Sequence, residues 1–156
     1  MKNFSYVFLL LLFVIFLDSC KQVEGLQASK YNNFFPKNLS IEYIRYPQHI
    51  IIIDNQPEFA WEVPNAAISQ SAYQILVVSS KENMESNTVD VWDSGKVLSN
   101  QSINVEYKGK SLKVGNTYFW KVKIWNEEGK ESAFSKAQRF TIGAKKNIIT
   151  LSLIHI

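Results

Sequence analysis

A single cysteine, Cys20, stands in this 156-residue sequence, so no internal disulfide can form and the fold must hold by packing. Glycine is scarce as well: 6 residues, none of them arranged as a phosphate-cradling loop. The 2 histidines, His49 and His155, cannot make a metal site without further ligands. The net charge of +3 comes with no run of basic residues, so the electrostatic footprint of nucleic-acid binding is missing. Nucleophile elbows and Cys/His dyads are lacking too, and no cofactor or metal is expected. The apolar run from Phe8 to Leu17 is too short to span a hydrocarbon core of ~30 Å as a helix. What the chain does have is apolar and aromatic material. With 46% hydrophobic and 13% aromatic residues it can build a real core in one ordinary domain.

Met1-Lys2-Asn3 followed by that apolar run reads as the n-region and h-region of a secretory signal. The run stops at Leu17-Asp18-Ser19-Cys20, which resembles a bacterial lipobox, although Asp18 departs from the usual small or apolar residue. Residues 1–20 are thus expected to be a signal segment with Cys20 as the lipidation site. The membrane is then a partner through a lipid anchor, and the protein sits in the bacterial cell envelope. The alternative is an ordinary signal peptide in which Cys20 is incidental. Residues 21–37 read as a polar tether broken at Phe34-Phe35-Pro36, residues 38–144 as the folded domain, and residues 145–156 as a tail. Within the tail, Leu151 to Ile156 match the in-frame translation of CTG TCT CTT ATA CAC ATC, the mosaic-end adapter of transposase-based sequencing libraries. These residues are expected to be an artefact of a truncated reading frame, the alternative being a genuine apolar tail.

From Asn38 onward, period-two alternation dominates and no convincing helical period appears, which predicts an all-β domain. Leu39, Ile41 and Tyr43 mark a first strand, and Phe59, Trp61 and Val63 a second between Pro57 and Pro64. Tyr73, Ile75 and Val77 share one face of a third strand over residues 72–79. A polar loop, residues 80–88, leads to a short fourth strand at Val91-Trp92, ended by the turn Asp93-Ser94-Gly95. Ile103, Val105 and Tyr107 mark a fifth, closed by Lys108-Gly109-Lys110. The sixth runs from Thr117 to Trp125 with Tyr118, Trp120, Val122 and Ile124 on one face, and the seventh from Ala137 to Ile142. Turn signals at this spacing, with no helix to cover a parallel sheet, predict a seven-stranded antiparallel β-sandwich of the fibronectin type III or immunoglobulin-like kind. Tyr118 is expected to be a corner tyrosine with its hydroxyl bonded to the preceding connection, and Trp61 the large residue at the centre of the core.

Pro57-x-Phe59-x-Trp61, Ala72-Tyr73-Gln74-Ile75-Leu76-Val77 and Trp92-Asp93-Ser94-Gly95-Lys96-Val97 carry a closer likeness, continued in Ser102-Ile103-x-Val105-x-Tyr107-x-Gly109-x-x-Leu112 and Tyr118-x-Trp120-x-Val122-x-Ile124-Trp125. In order and approximate spacing the series resembles the N-terminal fibronectin-type module of bacterial α-L-rhamnosidases, glycoside hydrolase family 78. His49 to Ile53 depart from the glycine-containing turn usual there. The resemblance implies a parent that hydrolyses terminal α-L-rhamnose by inversion, with two glutamates in a helical barrel far downstream. Inversion requires two carboxylates ~6.5–9.5 Å apart across a sugar. Nothing in this chain matches the barrel's motifs, so no catalytic residue carries over.

The remaining constellations are weighed on geometry. Glu127 and Glu128 are neighbours in a turn and point apart. Asp90 and Asp93 flank Trp92 and could contact a sugar, but a turn with a packed tryptophan is favoured. The second face of the sixth strand carries Phe119, Lys121, Lys123 and Trp125, and the third strand adds Leu76 and Val78. That apolar patch is expected to lie outside the core and to dock onto downstream domains of the parent; a glycan platform of Phe119 and Trp125 is the rival. The expected function is that of a non-catalytic accessory module of an exported rhamnosidase. The alternative is a free-standing surface lipoprotein whose module binds glycan or protein.

Overall fold

The computed structural model describes residues 34–144. The expected signal segment with Cys20, most of the expected tether and the tail lie outside the described residues. Among the described residues nine strands are formed: β1 (Lys37–Ile41), β2 (Ile51–Ile52), β3 (Glu58–Glu62), β4 (Gln70–Val78), β5 (Trp92–Asp93), β6 (Val97–Leu98), β7 (Val105–Glu106), β8 (Thr117–Asn126) and β9 (Gln138–Ile142). One short helix, α1 (Lys81–Glu85), and a 3-10 turn at Pro47–His49 join them.

The strands divide into two sheets, ordered β1-β3-β7 and β2-β9-β8-β4-β5, with β6 pairing β4 beyond β5. The architecture is the all-β immunoglobulin-like sandwich that the alternation implied. Its spine is the antiparallel β4–β8 pair, in register from Ala72↔Trp125 to Val78↔Phe119. This register puts Tyr73, Ile75 and Val77 beside Trp120, Val122 and Ile124 on the inner face, because strand side chains alternate faces with period two.

The core centres on Phe59. Its ring lies 4.5 Å from Trp120 and 6.1–6.3 Å from Phe140, Trp92 and Tyr107, centroid to centroid. Trp61 is buried but not central, which corrects the expectation. Two residues further along β3, it sits toward one end of the sandwich, its ring 5.2 Å from Tyr73 and its Nε1 donating to Gln70 Oε1 at 2.9 Å. The Gln70 amide in turn donates to the carbonyls of Ser99 and Gln101, tying the β6–β7 connection to this end.

Other local departures have physical causes. Tyr43 leaves the first strand: Glu42 and Tyr43 take φ of 49° and 62°, Ile41 bridges Ile44, and the Tyr43 ring is exposed. Ile103 is likewise exposed, and only Val105–Glu106 pair in the fifth predicted strand. Residues 80–88, expected to be loop, contain α1, whose first turn is capped by Ser80 Oγ accepting from Asn83 N at 3.1 Å. β2 pairs β9 in parallel, so the sandwich is not wholly antiparallel.

Candidate functional site

Three places carry the chemistry that the sequence singled out, or that only the fold assembles. The first is the Trp92-Asp93-Ser94-Gly95 turn. Trp92 packs inward, 5.1 Å from Tyr107 and 6.2 Å from Phe59. Asp93 Oδ1 accepts from Gly95 N at 2.8 Å and from Gln74 Nε2 at 2.7 Å, closing an Asx turn in which Gly95 adopts φ 61°. Ser94 then bonds β4 twice: its N–H donates to the Ile75 carbonyl at 3.0 Å and its Oγ accepts from Ile75 N at 2.8 Å. Each residue type in the motif thus has a structural role: inward anchor, turn closure, edge pairing and left-handed backbone.

Neighbouring carboxylates are engaged in the same way. Asp90 accepts from Ser79 N at 3.0 Å and from Ser79 Oγ. Burial alone would raise its pKa, but the Ser79 hydrogen bonds outweigh that and hold it below the usual carboxylate value. Glu127 accepts from the backbone of Ser69 at 3.0 Å and of Ile68 at 3.1 Å, and these bonds hold its pKa down. Tyr118 is buried, and its hydroxyl accepts from Lys113 N at 2.8 Å, satisfying a connection amide.

The second place is the outer face of β4 and β8. Leu76, Val78, Phe119 and Trp125 do share it, but it is not a bare patch: Leu76 is 5% exposed, Val78 1% and Trp125 8%. The expected docking surface is therefore corrected. The chain covers this face itself. α1 packs over β4 and β8 with Met84 buried, and Lys121 Nζ reaches Asn87 Oδ1 at 2.5 Å. From the β8–β9 connection, Phe134 lies under the ammonium groups of Lys121 and Lys123, 4.8 and 4.9 Å from its centroid. Lys96 and Lys123 cap the Trp125 ring at 4.4 and 5.1 Å, and Lys123 also pairs with Glu131 at 2.7 Å. Burial lowers the Lys121 pKa.

The third place was not visible as a site in the sequence. A cleft opens between β1 of one sheet, the Arg45–Gln48 connection and the start of β9 in the other. Lys37, Arg45, Lys136 and Arg139 line it, with Phe35 and Tyr46, and no Asp or Glu is among its lining residues. Gln138 braces it: Nε2 donates to the Leu39 carbonyl at 2.9 Å and the Arg45 carbonyl at 2.7 Å, while Oε1 accepts from Trp120 Nε1 at 3.1 Å. These cations are scattered from position 37 to 139, so no local signal announces them. Among the described residues, no three of His, Cys, Asp and Glu gather as a metal site.

A family model described as the Rha78A-like, N-terminal immunoglobulin domain matches residues 36–146. The chain belongs to that family. The chain that carries this immunoglobulin domain is similar to part of an alpha-L-rhamnosidase of Formosa agariphila, 39% identical over 146 residues that cover 92% of the chain and 15% of the relative. A Streptomyces avermitilis alpha-L-rhamnosidase is 40% identical over 98 residues, 62% of the chain and 9% of the relative. Among solved structures, the alpha-L-rhamnosidase of Dictyoglumus thermophilum superposes with a TM-score of 0.68 at 35% identity, covering 75% of the chain and 13% of that protein. The chain thus spans about 15% of the length of the curated relative it matches over most of its own.

Proposed function

We propose that the chain serves as the non-catalytic N-terminal accessory module of an exported, inverting α-L-rhamnosidase. One observation carries this: 39% identity to an alpha-L-rhamnosidase runs through 92% of the chain while occupying only 15% of the relative. The carboxylates of the most family-specific segment also favour a structural role, since Asp90 and Asp93 are occupied in turn and strand-end bonds. Docking onto following domains is moved from the covered β4–β8 face to the exposed Ile51, Ile53 and Val114 around Gly143. Those side chains surround the strand end at which β2 and β9 run in parallel, with Gly143 N donating to the Ile52 carbonyl at 2.8 Å.

Reading the locus beyond Thr150 tests the proposal. An open frame continuing into further β-domains and a helical barrel is expected, whereas a stop shortly after Thr150 would favour a free-standing surface lipoprotein. The chain itself should not turn over p-nitrophenyl rhamnoside, and measurable hydrolysis would overturn the non-catalytic assignment. Export with lipid anchoring at Cys20 has its own test. Labelled palmitate should enter the chain expressed in a bacterial host and should be lost in Cys20→Ser; equal labelling of both would remove Cys20 as the anchor.

A further inference from the structure

We propose that the cleft between β1 and β9 binds an anionic saccharide, a sugar bearing carboxylate or sulfate groups. Resting on the reading of the chain as part of a glycoside-processing protein, this assigns to the module a ligand class of its own. The cleft's lining holds no Asp or Glu, and its charge rests on Arg45, Lys136 and Arg139, since Lys37 stands opposite Glu62 in the β1–β3 register. Glu62, on β3, accepts from Asn38 Nδ2 at 2.5 Å and so lies at the Lys37 end of the cleft, away from the arginines of the Arg45–Gln48 connection and β9. Two of these three cations are arginines, whose planar fork matches a carboxylate or sulfate edge with two parallel hydrogen bonds.

The cleft is also built rather than incidental. Three of the four hydrogen bonds open to the Gln138 amide are made, both N–H donors included, and they fix the Arg45 backbone to both β1 and the core indole of Trp120. Arg139 Nη2 donates to the Gln48 carbonyl at 3.4 Å, which holds its guanidinium toward the connection that carries Tyr46. Tyr46, 71% exposed, adds a flat apolar face with a polar tip, suited to the mixed surface of a sugar ring. A concavity between strands of the two sheets receives a narrow saccharide chain, whereas a flat bilayer would touch only its rim. The absence of any basic run speaks against a nucleic-acid track.

Affinity electrophoresis and calorimetry of the full chain provide the test. The probes are polygalacturonate, dextran sulfate, neutral dextran and poly(U), all at one moderate ionic strength, since bare charge attraction is screened there. Binding to polygalacturonate or dextran sulfate is expected, and which of the two is tighter separates carboxylate from sulfate recognition. Neutral dextran should not bind, and poly(U) should bind more weakly than either. The Arg45→Ala/Arg139→Ala double variant should lose about tenfold or more in affinity, the scale of one lost charge-assisted hydrogen bond. Both arginine side chains are exposed, and Arg45→Ala keeps the carbonyl that Gln138 holds, so the fold should survive. Tyr46→Ala should weaken binding independently, and Lys81→Ala, far along the chain on α1, should not. Absence of binding, equal affinity for poly(U), or an unaltered double variant would each overturn the proposal. None of these measurements depends on the parent's activity. A chain that binds polygalacturonate while its locus lacks a downstream barrel would keep this proposal and sink the rhamnosidase one.

Discussion

At Gly109 an added Cβ would stand 2.5 Å from both Trp92 Cβ and the Tyr107 hydroxyl oxygen, closer than packed atoms can approach. The glycine is set by that approach: the Tyr107 ring folds back so that its hydroxyl donates to the Lys110 carbonyl at 2.5 Å. Gly109→Ala should therefore destabilise the domain by about 1–3 kcal/mol, the usual cost of overpacking. Thermal unfolding should show a fall in Tm of several degrees, and an unchanged Tm would mean that the neighbours yield freely. In the sequence, Lys108-Gly109-Lys110 reads only as a turn that closes a strand. Trp61 was legible as buried and Tyr118 as a corner residue needing a hydroxyl partner, because alternation and chemistry act locally. The role of Phe59 as the hub was not, since its neighbours Trp92, Tyr107, Trp120 and Phe140 come from four other strands or their flanks.

Among the elements, β8 shows how a strand longer than its neighbour is completed. β9 pairs with it only from Thr117 to Trp120. Beyond that point the β8–β9 connection runs alongside, and two buried serines finish the ladder. Ser135 N donates to the Val122 carbonyl at 2.8 Å while its Oγ accepts from Val122 N at 3.1 Å; Ser132 does the same for Ile124 at 2.8 and 3.0 Å. Ser132→Ala and Ser135→Ala each leave a buried strand amide without its acceptor, which should cost about 1–3 kcal/mol apiece. Hydrogen exchange should show faster exchange at Ile124 and Val122 respectively, and unchanged protection would contradict this pairing. Long alternating strands such as β4 and β8 were readable because each buries one regular face. Two-residue strands such as β2 and β6 carry no period to read, and α1 is too short to show one. α1, with Lys96 and Lys123 over Trp125, nonetheless decides the fate of the β4–β8 outer face, and for that reason Leu76, Val78 and Trp125 looked like a docking patch from the sequence alone.

For the whole molecule, titration should bound stability on both sides of neutral pH. Burial pushes the Tyr107 phenol up to about 12 from an ordinary 10.0, with the nearby Tyr118 adding to the shift. The unfolded chain then loses this proton before the folded one does. Its contribution is complete below about pH 10 and disappears as pH rises through about 12. Glu127 and Asp90 are shifted downward, so theirs is present above the ordinary carboxylate values and lost as pH falls through the lowered folded ones. Denaturant midpoints should therefore fall both in acid and above pH 10, and Tyr107→Phe should flatten the alkaline limb; an unflattened limb would assign it to other groups. The sequence by itself determined the fold class, the inner faces of the long strands and the family, because period-two burial and turn chemistry act between near neighbours. Only the tertiary structure decided which outward faces stay exposed and where charge collects. α1 and the Glu131–Ser135 segment close one face, and Lys37, Arg45, Lys136 and Arg139 gather at another, because packing joins residues that the chain keeps far apart.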